Sequence, residues 1–279
     1  MKMKNQLYLL PLLILFISAC GSNSEKKPIA KVKSIKKEET KDTVALIPQS
    51  GLKIRYSKYQ AERTYTAEVS EENPENEYEE LGTFTAHRKV KLIEIELNDK
   101  TVENKINAAI FKAVTAKKMG SYSLQKYVNE VKSLASVEEC FDEETTCSLY
   151  DSTLNYISIG INQYSMYYGA AHPNSGIQVL NFDLKTGALI SLNDLFSPGS
   201  RKDLKKIVEK AFIKAWGGED WDFTPRSGDF NLSENFSLER DGLHFYYNQY
   251  EIGPYAMGAP EVTIAWKEIS KLLKENPYK

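Results

Sequence analysis

The 279-residue chain has little of what usually marks an enzyme: three cysteines and three histidines. His87, His172 and His244 lie far apart along the chain, with no metal-ligand spacing, so no metal site and no cofactor are expected. There is no Gly-x-Ser-x-Gly elbow and no phosphate-binding glycine loop, and no residue is assigned as catalytic. An excess of positive charge is missing too. Lys and Arg total 36 against 38 Asp and Glu, a formal net charge of −2. It becomes −4 if Lys2 and Lys4 are removed with a leader. That balance argues against a nucleic-acid partner, which calls for a strongly basic face. Long apolar runs are absent as well. The run from Leu7 to Ile17 falls short of the roughly 20 residues that a permanent membrane span needs.

That short run has a function of its own. Lys2 and Lys4 precede it and Ser18-Ala19 follow it, the layout of a secretory signal over residues 1–19. Ile17-Ser18-Ala19-Cys20 resembles the bacterial lipobox, which implies lipid on Cys20 and a membrane anchor at the new N-terminus. Lipidation takes Cys20 out of the cysteine count and leaves Cys140 and Cys147, which an exported protein is expected to join in a local disulfide. Closing so small a loop would contribute about 2.5 kcal/mol by chain entropy. Residues 20–48 are rich in Lys, Glu, Ser and Thr and read as a disordered tether with a reach of about 30 Å.

The rest of the chain has ordinary globular composition, 42% hydrophobic and 27% charged. Ile54–Val69 and Thr83–Leu97 read as strands. The apolar phase shifts between Val90-x-Leu92 and Ile93-x-Ile95-x-Leu97, predicting a bulge or a stretch buried on both faces. Asn98 or Thr101 can cap a helix with its stripe on Val102, Ile106, Ala109, Ile110, Ala113 and Val114. A second helix follows from Ser123. Strands resume from Leu154, with alternation at Ile157, Ile159 and Ile161, and again from Ile177 to Leu184. Ser200 and Asp203 have capping-box spacing ahead of a third helix, whose stripe is Leu204, Ile207, Val208, Ala211, Phe212 and Ala215. Asp241-Gly242 predicts a hairpin turn that sets Leu238 opposite Phe245 and Glu239 opposite His244. Val262–Trp266 and Lys267–Lys274 read as a last strand and a closing helix. The pattern is α+β, a largely antiparallel sheet with packed helices.

Three stretches carry a family resemblance: Tyr168-Gly169-Ala170-Ala171-His172-Pro173-Asn174; Phe182-Asp183-Leu184-Lys185-Thr186-Gly187 leading to Leu192-Asn193-Asp194-Leu195-Phe196; and Asp241 to Tyr247 followed by Tyr250-Glu251-Ile252-Gly253-Pro254-Tyr255-Ala256-Met257-Gly258. In this order they resemble the RsiV-type extracytoplasmic domain, found in lysozyme-sensing anti-sigma factors, beside some peptidoglycan deacetylase domains and in envelope lipoproteins. The resemblance covers Leu149 to Leu273, with a weaker one, over Ile54–Val137, to the companion domain that precedes it. It implies domains at 49–148 and 149–279. Ala170 stands where the family commonly has a second glycine.

The resemblance implies a fold and a binding theme, with a lysozyme-like muramidase or peptidoglycan glycan as partner. Binding residues are expected in the loops holding Tyr168, His172, Pro173, Tyr250, Glu251, Pro254 and Tyr255. The same residues also suit a packed aromatic corner with no ligand. Two other readings stay open. One is a cell-wall polysaccharide-modifying enzyme that uses Asp183, Asp194 or Glu251 with His172; the other is a structural envelope lipoprotein. The expected location is the bacterial cell envelope, on the outer membrane in a Gram-negative host.

Overall fold

The computed structural model describes residues 31–47, 52–66, 83–116, 123–133, 140–167, 170–217 and 230–277. The signal, Cys20 and Tyr168 lie outside them. The fold is α+β. A six-stranded sheet runs in chain order through β1 (Lys31–Ile47), β2 (Leu52–Thr66), β3 (Thr83–Glu96), β4 (Cys140–Ser152), β5 (Tyr156–Tyr167) and β6 (Asn174–Asp183). Every neighbouring pair is antiparallel except β3 and β4, which are parallel. A parallel pair needs a long crossover, supplied here by helices α1 (Lys100–Thr115) and α2 (Leu124–Ser133).

Both helices pack one face of this sheet. Val102, Ile106, Ile110, Phe111 and Val114 of α1 join Tyr127 and Val128 of α2 against Ile54, Ile93, Ile95, Ile157, Ile159 and Ile161. The cap is Asp99, between the two expected residues; its carboxylate accepts from Thr101 N and Val102 N. The phase shift in β3 is burial on both faces. Val90, Leu92, Ile93, Ile95 and Leu97 are all buried, and the pairing with β2 runs without a register break.

Two expected loops are strands. Lys31–Ile47, read as tether, forms β1 along β2, and residues 140–146, read as a disulfide loop, belong to β4. Polar composition is no obstacle where a neighbouring strand already offers an unpaired edge of N–H and C=O groups. The β4 strand also rules out the disulfide. Cys140 faces Tyr167 and Cys147 faces Ile161, so the two cysteines stand roughly 23 Å apart along one strand. A disulfide needs Cα atoms within about 7 Å. Cys147 is a free, fully buried thiol, which burial pushes up to about 12. The expected boundary at 148/149 falls inside β4, so the sheet runs through it; the second hydrophobic core is built mainly from residues after β6, joined by Tyr156 of β5.

Beyond β6 come α3 (Leu192–Leu195), α4 (Arg201–Trp216), β7 (Phe236–Glu239), β8 (Gly242–Tyr246), β9 (Glu261–Ala265) and α5 (Trp266–Ile269). The closing helix is thus a single turn. Strands β7–β9 form a second, antiparallel sheet, on which Leu204, Val208 and Phe212 of α4 pack with Phe236, Phe245 and Ile264. The capping box forms one helix earlier than expected. Asp194 accepts from Ser191 N at the start of α3, whereas the Ser200 hydroxyl donates to Ser197 O. The hairpin register also differs. Its loop is Arg240-Asp241, so Phe236 faces Phe245, Leu238 faces Leu243, Ser237 faces His244 and Glu239 faces Gly242.

The two sheets meet by satisfying each other's strand edges with amide and hydroxyl groups. Asn235 accepts from Val179 N at 2.7 Å and donates to Ile177 O at 2.9 Å, while Asn248 accepts from Ile177 N at 2.7 Å. In return Ser158 and Asn181, both buried on the large sheet, bond Leu238 and Phe236 of β7. This docking fixes the loop after β8 beside the β5–β6 loop.

Candidate functional site

Those two loops bring together four of the seven candidate binding residues. His172 and Pro173 come from the β5–β6 loop; Tyr250 and Tyr255 come from the chain after β8. The His172 ring stacks on Tyr255 with centroids 3.8 Å apart and planes 25° apart. Tyr250 stands beside both, its centroid 6.4 Å from His172 and 5.8 Å from Tyr255.

Hydrogen bonds fix the rings and the imidazole tautomer. Tyr255 OH donates to Pro173 O at 2.9 Å. His172 Nδ1 lies 3.0 Å from that same carbonyl, which can only accept, so Nδ1 carries the proton. In the neutral ring Nε2 is then an acceptor, and Tyr250 OH points at it from 3.3 Å.

Tyr250 sits at the apex of its loop, 61% exposed, in the left-handed backbone region at φ 67°. A bulky residue there is strained by about 1–2 kcal/mol. The turn around it is held by Glu251 N donating to Asn248 O, and by Glu251 Oε2 accepting from Asn248 N. Glu251 therefore braces the loop, and Pro254 sets the start of the 3-10 turn Tyr255–Met257. Gln249 adds a tie between the loops, accepting from Ser175 N at 3.2 Å. Beneath them, Ser175, Asn162, Tyr164 and Tyr246 line a groove of about 490 Å³.

The carboxylates proposed for catalysis do not converge here. Asp183 ends β6, roughly 30 Å along the strand from Asn174, and accepts from Lys185 N and Thr186 N in its own turn. Asp194 starts α3. Only Glu251 lies near His172, and both its oxygens hold Asn248.

A second cluster was only half legible in the sequence, which paired Glu239 with His244 but gave Asp241 no part beyond its turn. Glu239, Asp241 and His244 each offer a ligand atom within 4.8 Å of the others. Asp241 Oδ1 lies 2.8 Å from His244 Nε2, and that hydrogen bond holds the Asp241 carboxyl below its usual range. The available signal was Glu-x-Asp-x-x-His spanning a two-residue hairpin loop.

Residues 193–267 match the family described as Protein of unknown function (DUF3298). That region contains Tyr250, Tyr255 and the Glu239–His244 cluster; His172 precedes it. The chain is 22% identical over 210 residues to the peptidoglycan-N-acetylmuramic acid deacetylase PdaC of Bacillus subtilis, covering 70% of this chain and 44% of that protein. It is 27% identical over 106 residues to an esterase of Mycobacterium tuberculosis, covering 37% of this chain and 47% of that protein. The chain thus spans less than half the length of either relative. Among solved structures, a DUF3298 family member from Bacteroides fragilis superposes with a TM-score of 0.57 at 18% identity, covering 90% of this chain and 97% of its own. A DUF3298 family protein from Pseudomonas aeruginosa gives 0.53 at 16% identity, covering 86% of this chain and 94% of its own. These identities speak for the fold alone. Residues 193–267 are thus similar to the DUF3298 family, and the chain shares the fold of that family's solved members.

Proposed function

We propose that the protein is a non-catalytic, lipid-anchored binding module of the bacterial cell envelope, and that its loop platform takes a peptidoglycan-type glycan. The observation that carries this reading is the stacked His172–Tyr255 pair with Tyr250 projecting beside it. Flat aromatic faces with polar rims suit sugar rings, which are apolar on their faces and hydroxylated at their edges. Similarity over 210 residues to a protein that deacetylates peptidoglycan supports the same class of ligand. An enzymatic reading has less support, because Asp183, Asp194 and Glu251 are engaged in turns and caps.

A lysozyme-like muramidase is the second reading. It is favoured by the 61% exposure of Tyr250 on a loop apex, a shape that can enter a cleft. Co-sedimentation with insoluble peptidoglycan, run beside capture on immobilised lysozyme, tests both. The wild type should be retained by peptidoglycan, and Tyr255→Ala should bind at least tenfold more weakly. Capture by lysozyme alone would favour the second reading, and retention by neither would overturn the proposal. The anchor is a separate part of it: Cys20→Ser should take up no labelled palmitate, and unchanged labelling would remove the lipid from the account.

A further inference from the structure

The Glu239–Asp241–His244 cluster lies on the β7–β8 hairpin, apart from the loop platform. It combines one imidazole with two carboxylates. Among the described residues, His244 is the only cationic or titratable-cation side chain within 4 Å of either carboxylate. With a neutral imidazole the cluster therefore carries two negative charges and no counter-ion. Neighbouring groups fix its members in place. Ser237 Oγ and Tyr246 OH both donate to Glu239 Oε1, at 2.6 and 3.1 Å. Ser237 is fully buried and Tyr246 nearly so. Trp266 Nε1 holds the Glu239 carbonyl at 2.8 Å. On the other side, Thr263 Oγ1 lies 3.1 Å from His244 Nδ1, which leaves Nε2 facing Asp241. Outer hydroxyls that orient a carboxylate and one ring nitrogen are how metal sites set their ligands.

We propose that Glu239, Asp241 and His244 bind a divalent cation of the zinc class. Mixed imidazole and carboxylate donors suit such an ion better than magnesium or calcium, which prefer oxygen alone. A tetrahedral ion with bonds of about 2.0–2.1 Å sets its ligand atoms roughly 3.3 Å apart. The present spread is 4.8 Å or less, with Glu239 Oε1 3.8 Å from His244 Nδ1, so seating the ion calls for a shift at Glu239 as well as a turn of Asp241. Its side chain is 69% exposed, so it is free to turn and leaves an entry path from solvent. Three protein ligands keep a fourth position open for water.

Calorimetric titration of the detergent-solubilised full chain with Zn2+ tests the site. One equivalent should bind, the melting temperature should rise with added Zn2+, and excess Mg2+ should not compete. His244→Ala and Asp241→Asn should each weaken binding at least tenfold, while His87→Ala should bind like the wild type. If His244→Ala fails to fold, Asp241→Asn decides alone, since Asp241 lies exposed in the hairpin loop. Absence of binding heat with an unchanged melt would overturn the proposal. So would wild-type affinity in Asp241→Asn, which would leave the cluster as a plain imidazole–carboxylate ion pair.

Discussion

Gly242 is glycine because β9 leaves no room for a side chain there. A Cβ at that position would lie 2.1 Å from Ile264 O and 2.8 Å from Ile264 C. The sequence pattern suggested a turn glycine with positive φ, but the positive-φ glycines among the described residues are Gly187, Gly199 and Gly258. Gly242→Val is therefore expected to cost about 3 kcal/mol by overpacking against backbone that cannot rotate away. A denaturant midpoint equal to wild type would show that β9 does not approach so closely. Cys147 makes a second forecast at this scale. Its thiol is fully buried and held up to about 12, so the native protein should resist alkylation at Cys147 and the unfolded protein should not. Prompt modification of the native protein, or a disulfide to Cys140 found by mass spectrometry, would contradict the β4 strand.

At the scale of elements, what could be read from the sequence depended on whether the element makes its own pattern. Helix α1 buries the stripe its sequence displays, α4 buries Leu204, Val208 and Phe212 of its own but leaves Ala215 exposed, and β2 and β3 lie close to where Tyr, Thr and β-branched residues put them. β1 and β4 escaped because Lys-Lys-Glu-Glu-Thr-Lys and Asp-Glu-Glu-Thr-Thr carry no apolar alternation. They are strands because β2, β3 and β5 offer partners for their backbones, which is a property of the assembled sheet. The amide clamp between the sheets was illegible for the same reason. Asn181, 3% exposed, donates to Phe236 O and accepts from Leu238 N, groups far from it in sequence. Asn181→Ala should leave these buried groups unpaired at a cost of about 1–3 kcal/mol. An unchanged melt would show that the edge of β7 is satisfied in another way.

At the scale of the whole molecule, the docking of the two sheets turns two loops into one surface. His172 and Tyr255 are 83 residues apart in sequence and stack only because Asn235 and Asn248 fix the second sheet against β6. Family resemblance had pointed to both loops, and the residue types hinted at recognition. That Tyr250 would be exposed and strained, that Glu251 would brace its turn, and that Asp183 would lie at the far end of β6 depended on the fold. The strain at Tyr250 separates a binding role from a structural one. Glycine adopts φ 67° without penalty, so Tyr250→Gly should melt within about 1 kcal/mol of wild type. If the ring is instead a packed corner, its loss should destabilise the fold. The direct measurement is titration of soluble peptidoglycan fragments into wild type and Tyr250→Gly, with thermal melts recorded on the same samples. The melts should match while the variant binds at least tenfold more weakly; a matching melt with undiminished binding would rule out a binding role for Tyr250.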